Sequence, residues 1–210
     1  GAPSGDPWGE TMETFAFYLP YHVFEKYWGI YIKPEGVQWI RKHLDGFFQS
    51  EGIRAHDQIA IAIHLLYYHE FYHNSVEGFA TRLEAMTRKP AYIKNISERY
   101  KQTFGSAKCL EETCANSYAR EKLLHKSFDS VVKVKDKKAF RKALNDLFSR
   151  QPGGYKQAAS TKQTWDEKTR IELLEDYVDT LAPPQSRNSS VRGIFALWKG
   201  SRIDQSVVSD

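Results

Sequence analysis

Between residues 57 and 86 the chain reads DQIAIAIHLLYYHEFYHNSVEGFATRLEAM, and its apolar positions recur at helical spacing. Advancing about 100° per residue from His69 sets Ala62, Leu65, Leu66, His73, Val76, Ala80 and Leu83 within about 60° of it. Both histidines therefore fall on the apolar face. Tyr67 and Phe71 on the other side predict a helix covered on both faces, as a central helix would be. Asp57 is expected as its N-cap and Gly78 as a break or an end.

Other registers are shorter. Val37, Ile40, Leu44 and Phe47/Phe48 keep helical spacing over 35–49, and Gly52 closes that run. Before it, the aromatic and β-branched stretch 15–33 alternates at Trp28–Ile32 and predicts a small β element with a strand at 29–33. A short helix is expected over Ser97–Phe104, then one over 107–126 with Leu110, Cys114, Tyr118 and Leu124 in register. A capped basic helix follows at 136–150, stopped at Pro152-Gly153-Gly154. Another apolar register ends at Pro183-Pro184, and Ile194–Trp198 is the last apolar segment. The expected architecture is mainly α (α+β). Residues 1–13 are expected to form a loose terminus, 14–126 the main domain, and 127–210 a helical C-terminal extension, either packed on that core or apart from it.

Composition narrows the function classes. With 210 residues, 41% hydrophobic and 27% charged, the chain is ordinary globular material rather than a disordered one. A net charge of +4 eases the approach of an anion without naming one. The basic face of KVKDKKAFRKALNDLFSR offers phosphate contact at most, because it has no base-reading signature. Cys109 and Cys114 cannot make a disulfide framework or a multi-cysteine zinc cage, and they suit a reducing, cytoplasmic home. No leader-like segment opens the sequence, and no run of about 18 apolar residues occurs, so no membrane span is expected.

His69-Glu70-Phe71-Tyr72-His73 is an H-E-x-x-H pattern. Residues four apart share a helix face, so both imidazoles reach one metal ion, while Glu70, about 100° around, is set to take a proton from water. A third ligand is needed. The 107–126 helix offers Glu111 and Glu112, and Glu112 is favoured because Asn116, four residues on, can orient a ligand from the same face. Glu77 and Cys114 stay open as substitutes. His64 is expected to be structural or exposed, and His125 a cation at a helix end.

These residues resemble a family. His69-Glu70-x-x-His73 followed by Glu112-x-x-Ala115-Asn116-x-Tyr118-Ala119 is similar to the gluzincin metallopeptidases, and more narrowly to the ImmA/IrrE-like group. The resemblance covers roughly residues 57–121 and implies a zincin-like helical core. It further implies Zn²⁺ held by His69, His73 and Glu112, with Glu70 as general base in the hydrolysis of a protein or peptide substrate. A donor to the tetrahedral oxyanion is wanted, and Tyr118 is the first choice. The contrasting expectation is a non-enzymatic binding protein with a structural H-E-x-x-H helix, touching nucleic acid or a protein through the basic C-terminal region. A third is an extension from 127 on that lies over the cleft and restrains the enzyme.

Overall fold

A computed structural model describes residues 15–90 and 92–160. The register before Pro183 and the segment Ile194–Trp198 lie outside the described residues. The protein is mainly helical, with one two-stranded sheet.

Strand β1 (Ala16–Leu19) runs antiparallel to β2 (Gly29–Ile32), with Ala16 opposite Ile32 and Leu19 opposite Gly29. The one-turn helix α1 (Tyr21–Phe24) sits between them. Phe17 and Tyr31 stack across the pair at 5.2 Å, the aromatic cross-strand contact that favours this register. Helix α2 (Pro34–Glu51) starts on proline, whose fixed φ and missing N–H suit a first turn.

Helix α3 (Ala55–Thr87) is the centre of the molecule and packs on α2, on both strands and on α5. It begins a turn earlier than expected. Arg54 is its N-cap without a side-chain cap bond, and Asp57 lies inside the first turn, paired with Arg54 Nε at 3.0 Å. Gly78 does not interrupt it. An interior glycine costs only about 1 kcal/mol against alanine, and the packing of so long a helix outweighs that.

A π-helical stretch (Tyr92–Ser97) leads into α4 (Glu98–Thr103) and then α5 (Leu110–Leu124). A 3₁₀ turn (Lys126–Ser130) precedes α6 (Lys137–Ser149). Asp136 caps α6 as expected, accepting from the backbone N–H groups of Lys138 and Ala139. Helix α7 (Gly153–Gln157) follows.

The apolar core joins Ile40, Leu44 and Phe48 of α2 to Ile61, Leu65 and Leu66 of α3. Phe140, Leu144 and Phe148 of α6 belong to the same core, as does Tyr155. The described part of the C-terminal extension is thus built into the main core rather than appended to it. At Gly154 the backbone of α7 meets α5 closely: an added Cβ would lie 2.2 Å from the Cys109 carbonyl oxygen. Thr113 Oγ1 donates to the Gly154 carbonyl at 2.7 Å and locks the contact. Tyr155 is thereby brought against the middle of α3.

Candidate metal centre

The core of α3 turns polar one helical turn past Leu65 and Leu66. His69, Glu70 and His73 are all buried there, facing Glu111 and Glu112 in the first turn of α5, which are also buried. Helical spacing puts both histidines on one face, and the close packing of α3 on α5 supplies the carboxylates.

Hydrogen bonds fix the tautomers. Asn116 Nδ2 lies 3.1 Å from the Tyr155 carbonyl, which only accepts, so Nδ2 is the donor and Oδ1 faces His69 Nδ1 at 2.9 Å. His69 therefore carries its proton on Nδ1. Glu111 Oε1 accepts from His73 Nδ1 at 2.7 Å and sets the same tautomer there. Both Nε2 lone pairs are left pointing inward, 3.4 Å apart. Glu112 closes the group, with Oε2 3.2 Å from His69 Nε2 and Oε1 3.6 Å from His73 Nε2. Although close to His69, Glu112 Oε2 lacks hydrogen-bond geometry to any partner. Three buried lone-pair atoms thus face one another, an arrangement that a proton or a metal ion can bridge. His69, His73 and Glu112 could hold a metal ion, their ligand atoms lying within 4.8 Å of one another.

Without metal, a proton takes up that role. Burial by itself would lower the His73 pKa, but Glu112 and Glu111 raise it to about 10. Burial would likewise raise Glu112, but His73 and His69 pull it down to about 2. Glu70 goes the other way: its burial raises its pKa against the opposing pull of the two imidazoles. Its Oε1 is buried with no hydrogen-bond partner. A buried oxygen without a partner costs roughly 1–3 kcal/mol.

Glu70, His73 and Glu111 form one side of a cavity of about 280 Å³. Phe17, Tyr18, Pro20 and Tyr92 give it aromatic and apolar walls. Tyr100 enters it from α4 and donates its hydroxyl to Glu112 Oε1.

Asn116 stands where the sequence put it, beside a ligand. Tyr118 does not join the site: it packs among Tyr68, Phe71 and Tyr72 under the Lys122 ammonium, and it does not line the cavity. Glu77 is engaged elsewhere, accepting from the backbone of Tyr21 and His22 and from the Tyr18 hydroxyl. Cys114 is buried outside the ligand group. His64 bonds the Ala60 carbonyl, a structural role as expected, and His125 stands at the end of α5 as expected but uses its side chain to accept from the Ser127 N–H and cap the 3₁₀ turn. On the basic helix α6, Lys137 pairs with Asp129 and Arg141 with Glu121.

Two members stand closer to the site than the sequence placed them: Glu111, passed over in favour of Glu112, and Tyr100, passed over in favour of Tyr118. Glu111 was visible as the neighbour of Glu112, about 100° around α5, and thus able to reach the second imidazole while Asn116 serves the first. Tyr100 gave no signal, because its approach to Glu112 depends on the fold of the connector. Among the described residues no helix is long and apolar enough to cross a membrane. No family model, curated protein or solved structure matches this chain, so its functional reading rests on this geometry.

Proposed function

We propose that this chain is a zinc-dependent hydrolase, and more narrowly a peptidase acting on a protein or peptide substrate. One observation carries the reading: three buried ligand atoms converge beside a buried, unpartnered carboxylate oxygen at the wall of a cavity. The two Nε2 atoms lie 3.4 Å apart, close to the roughly 3.3 Å that bonds of about 2.0–2.1 Å put between two ligands of a tetrahedral zinc, and the Glu112 carboxylate turns one oxygen to each of them, Oε2 at 3.2 Å from His69 and Oε1 at 3.6 Å from His73. His69, His73 and Glu112 would hold the ion, and three protein ligands are the complement of a catalytic site rather than a structural one.

When bound, zinc supplies the charge that polarises a carbonyl and lowers the pKa of water. Glu70, buried and with one oxygen unpaired, accepts the proton of the attacking water and returns it to the leaving amine. Glu111 and Asn116 hold the two imidazoles in the tautomer that ligation needs. Tyr100 takes the oxyanion-donor role expected first of Tyr118: its hydroxyl stands in the cavity wall, donating to Glu112 Oε1, and turns to the substrate when Glu112 gives that oxygen to the ion.

Plasma mass spectrometry on zinc-reconstituted protein tests this directly. About one zinc per chain is expected, lost in His69→Ala and Glu112→Ala and kept in Glu70→Gln. Against a denatured protein substrate, Glu70→Gln should lower the rate by about 10²–10⁴ and Tyr100→Phe by about 10²–10³. A chain that takes up no zinc would reduce His69 and His73 to a satisfied buried pair and end the reading.

A further inference from the structure

Beyond the metal centre, the cavity carries two donors of its own. Ser97, Tyr100 and Lys101 all line it, and their spacing of i, i+3 and i+4 makes them one stripe on the helical connector. Tyr100 is anchored through Glu112. The Ser97 hydroxyl and the Lys101 ammonium make no hydrogen bond or ion pair among the described residues. Lys101 is solvent-exposed, and among the described lining residues it is the one permanently charged cation. The acids on the opposite side do not neutralise it: Glu111 is committed to His73, and Glu70 sits within the metal centre.

A hydroxyl and an ammonium four residues apart on one helix face match the two oxygens of a carboxylate. Low-dielectric walls on the other sides strengthen such a contact above its value on an open surface. Phe17, Pro20 and Tyr92 form those walls, and they suit an apolar side chain. At about 280 Å³ the cavity is at the small end of ligand pockets, enough for one or two residues.

We propose that Ser97 and Lys101 read a carboxylate of the substrate, next to an apolar residue received by the aromatic walls. The carboxylate is either an acidic side chain or a free C-terminus. This rests on the hydrolase reading for its site but not for its test.

Binding is measured by isothermal titration on the zinc-loaded, full-length Glu70→Gln chain, which should retain the ligands without turnover. The probes are four short N-acetylated peptides in which phenylalanine is followed by glutamate or glutamine, each ending in a free carboxylate or an amide. The doubly neutral peptide should bind about tenfold more weakly than one or both of the single-carboxylate peptides, and which of these two binds tells side chain from terminus. Adding Lys101→Gln should bring the ratio close to one, and Lys101→Glu should invert it. Ser97→Ala should narrow it. Equal affinities across the four peptides, no binding of any, or a preference that survives Lys101→Gln would overturn the inference. Failure of hydrolysis in the wild-type chain bears on the proposed function instead, since the binding series is read without turnover.

Discussion

At the residue scale, each imidazole of the centre is held by a different kind of partner. His73 leans on a carboxylate, Glu111, and His69 on an amide, Asn116, which is itself fixed by Gln151 and the Tyr155 carbonyl. Partners of this sort typically affect metal affinity by 10- to 100-fold. Glu111→Gln keeps an acceptor and removes the charge, so zinc affinity should fall by about tenfold, whereas Glu111→Ala should cost nearer a hundredfold. Asn116→Ala should act similarly, with loss of the link to α7 in addition. A competition titration against a chromogenic chelator reads all three, and unchanged affinity in Glu111→Ala would show that His73 is oriented by other means. The two histidines and Glu70 were legible because helical spacing alone decides which face they share. Glu112 was legible through Asn116, its neighbour one turn on. Tyr100 was not, because no local period relates residue 100 to residue 112.

At the element scale, the length of α3 matters as much as its motif. Glu77 and Glu84 lie seven residues apart, two turns along one face, and both hold His22: Nδ1 is 2.5 Å from Glu77 Oε1 and Nε2 is 2.9 Å from Glu84 Oε2. Glu84 also accepts from the backbone N–H of Tyr92, and the His22 ring stacks on Tyr92 at 4.9 Å. Both walls of the cavity, β1–α1 and the connector, are thereby tied to the half of α3 that a break at Gly78 would have removed. Partial burial works against a charge on His22, but the bonds to Glu77 and Glu84 outweigh it and raise its pKa. A histidine that holds its proton more tightly when folded contributes fully below its unfolded value of about 6.5 and loses that contribution as pH rises through the folded value. His22→Ala should therefore lower Tm more at pH 6 than at pH 8.5. In hydrogen exchange, residues 16–24 should open first in the variant. An equal Tm loss at both pH values would place the effect in packing rather than in charge.

At the scale of the whole molecule, the described part of the extension, 127–160, packs on the core of the main domain, and the sequence left that open for a physical reason. The apolar register of α6 was readable, but a register shows that a face is buried without showing against what. Phe140 is fully buried and stacks on Phe47 of α2 at 5.0 Å, joining α6 to the core. Arg120 of α5, buried in the same region, donates to Asn145 on α6 and to the Ala158 carbonyl. Beyond these, Tyr155 stacks on His69 at 5.8 Å and lends its carbonyl to Asn116, so the far end of the described chain holds a ligand in place. Among the described residues, none that lines the cavity comes after Glu111, so the described part of the extension does not cover it. Truncation after Lys126 should consequently fail to release activity. It should abolish cooperative thermal unfolding, because it strips Phe140, Leu144, Phe148 and Tyr155 from one shared core. The milder Phe140→Ala tests the same point within an intact chain: a loss of about 3–5 kcal/mol is expected, a large part of the roughly 5–15 kcal/mol that holds a domain together. Denaturant melts that place its cost below about 1 kcal/mol, or a folded and zinc-binding product of the truncation, would restore the extension as a separate unit.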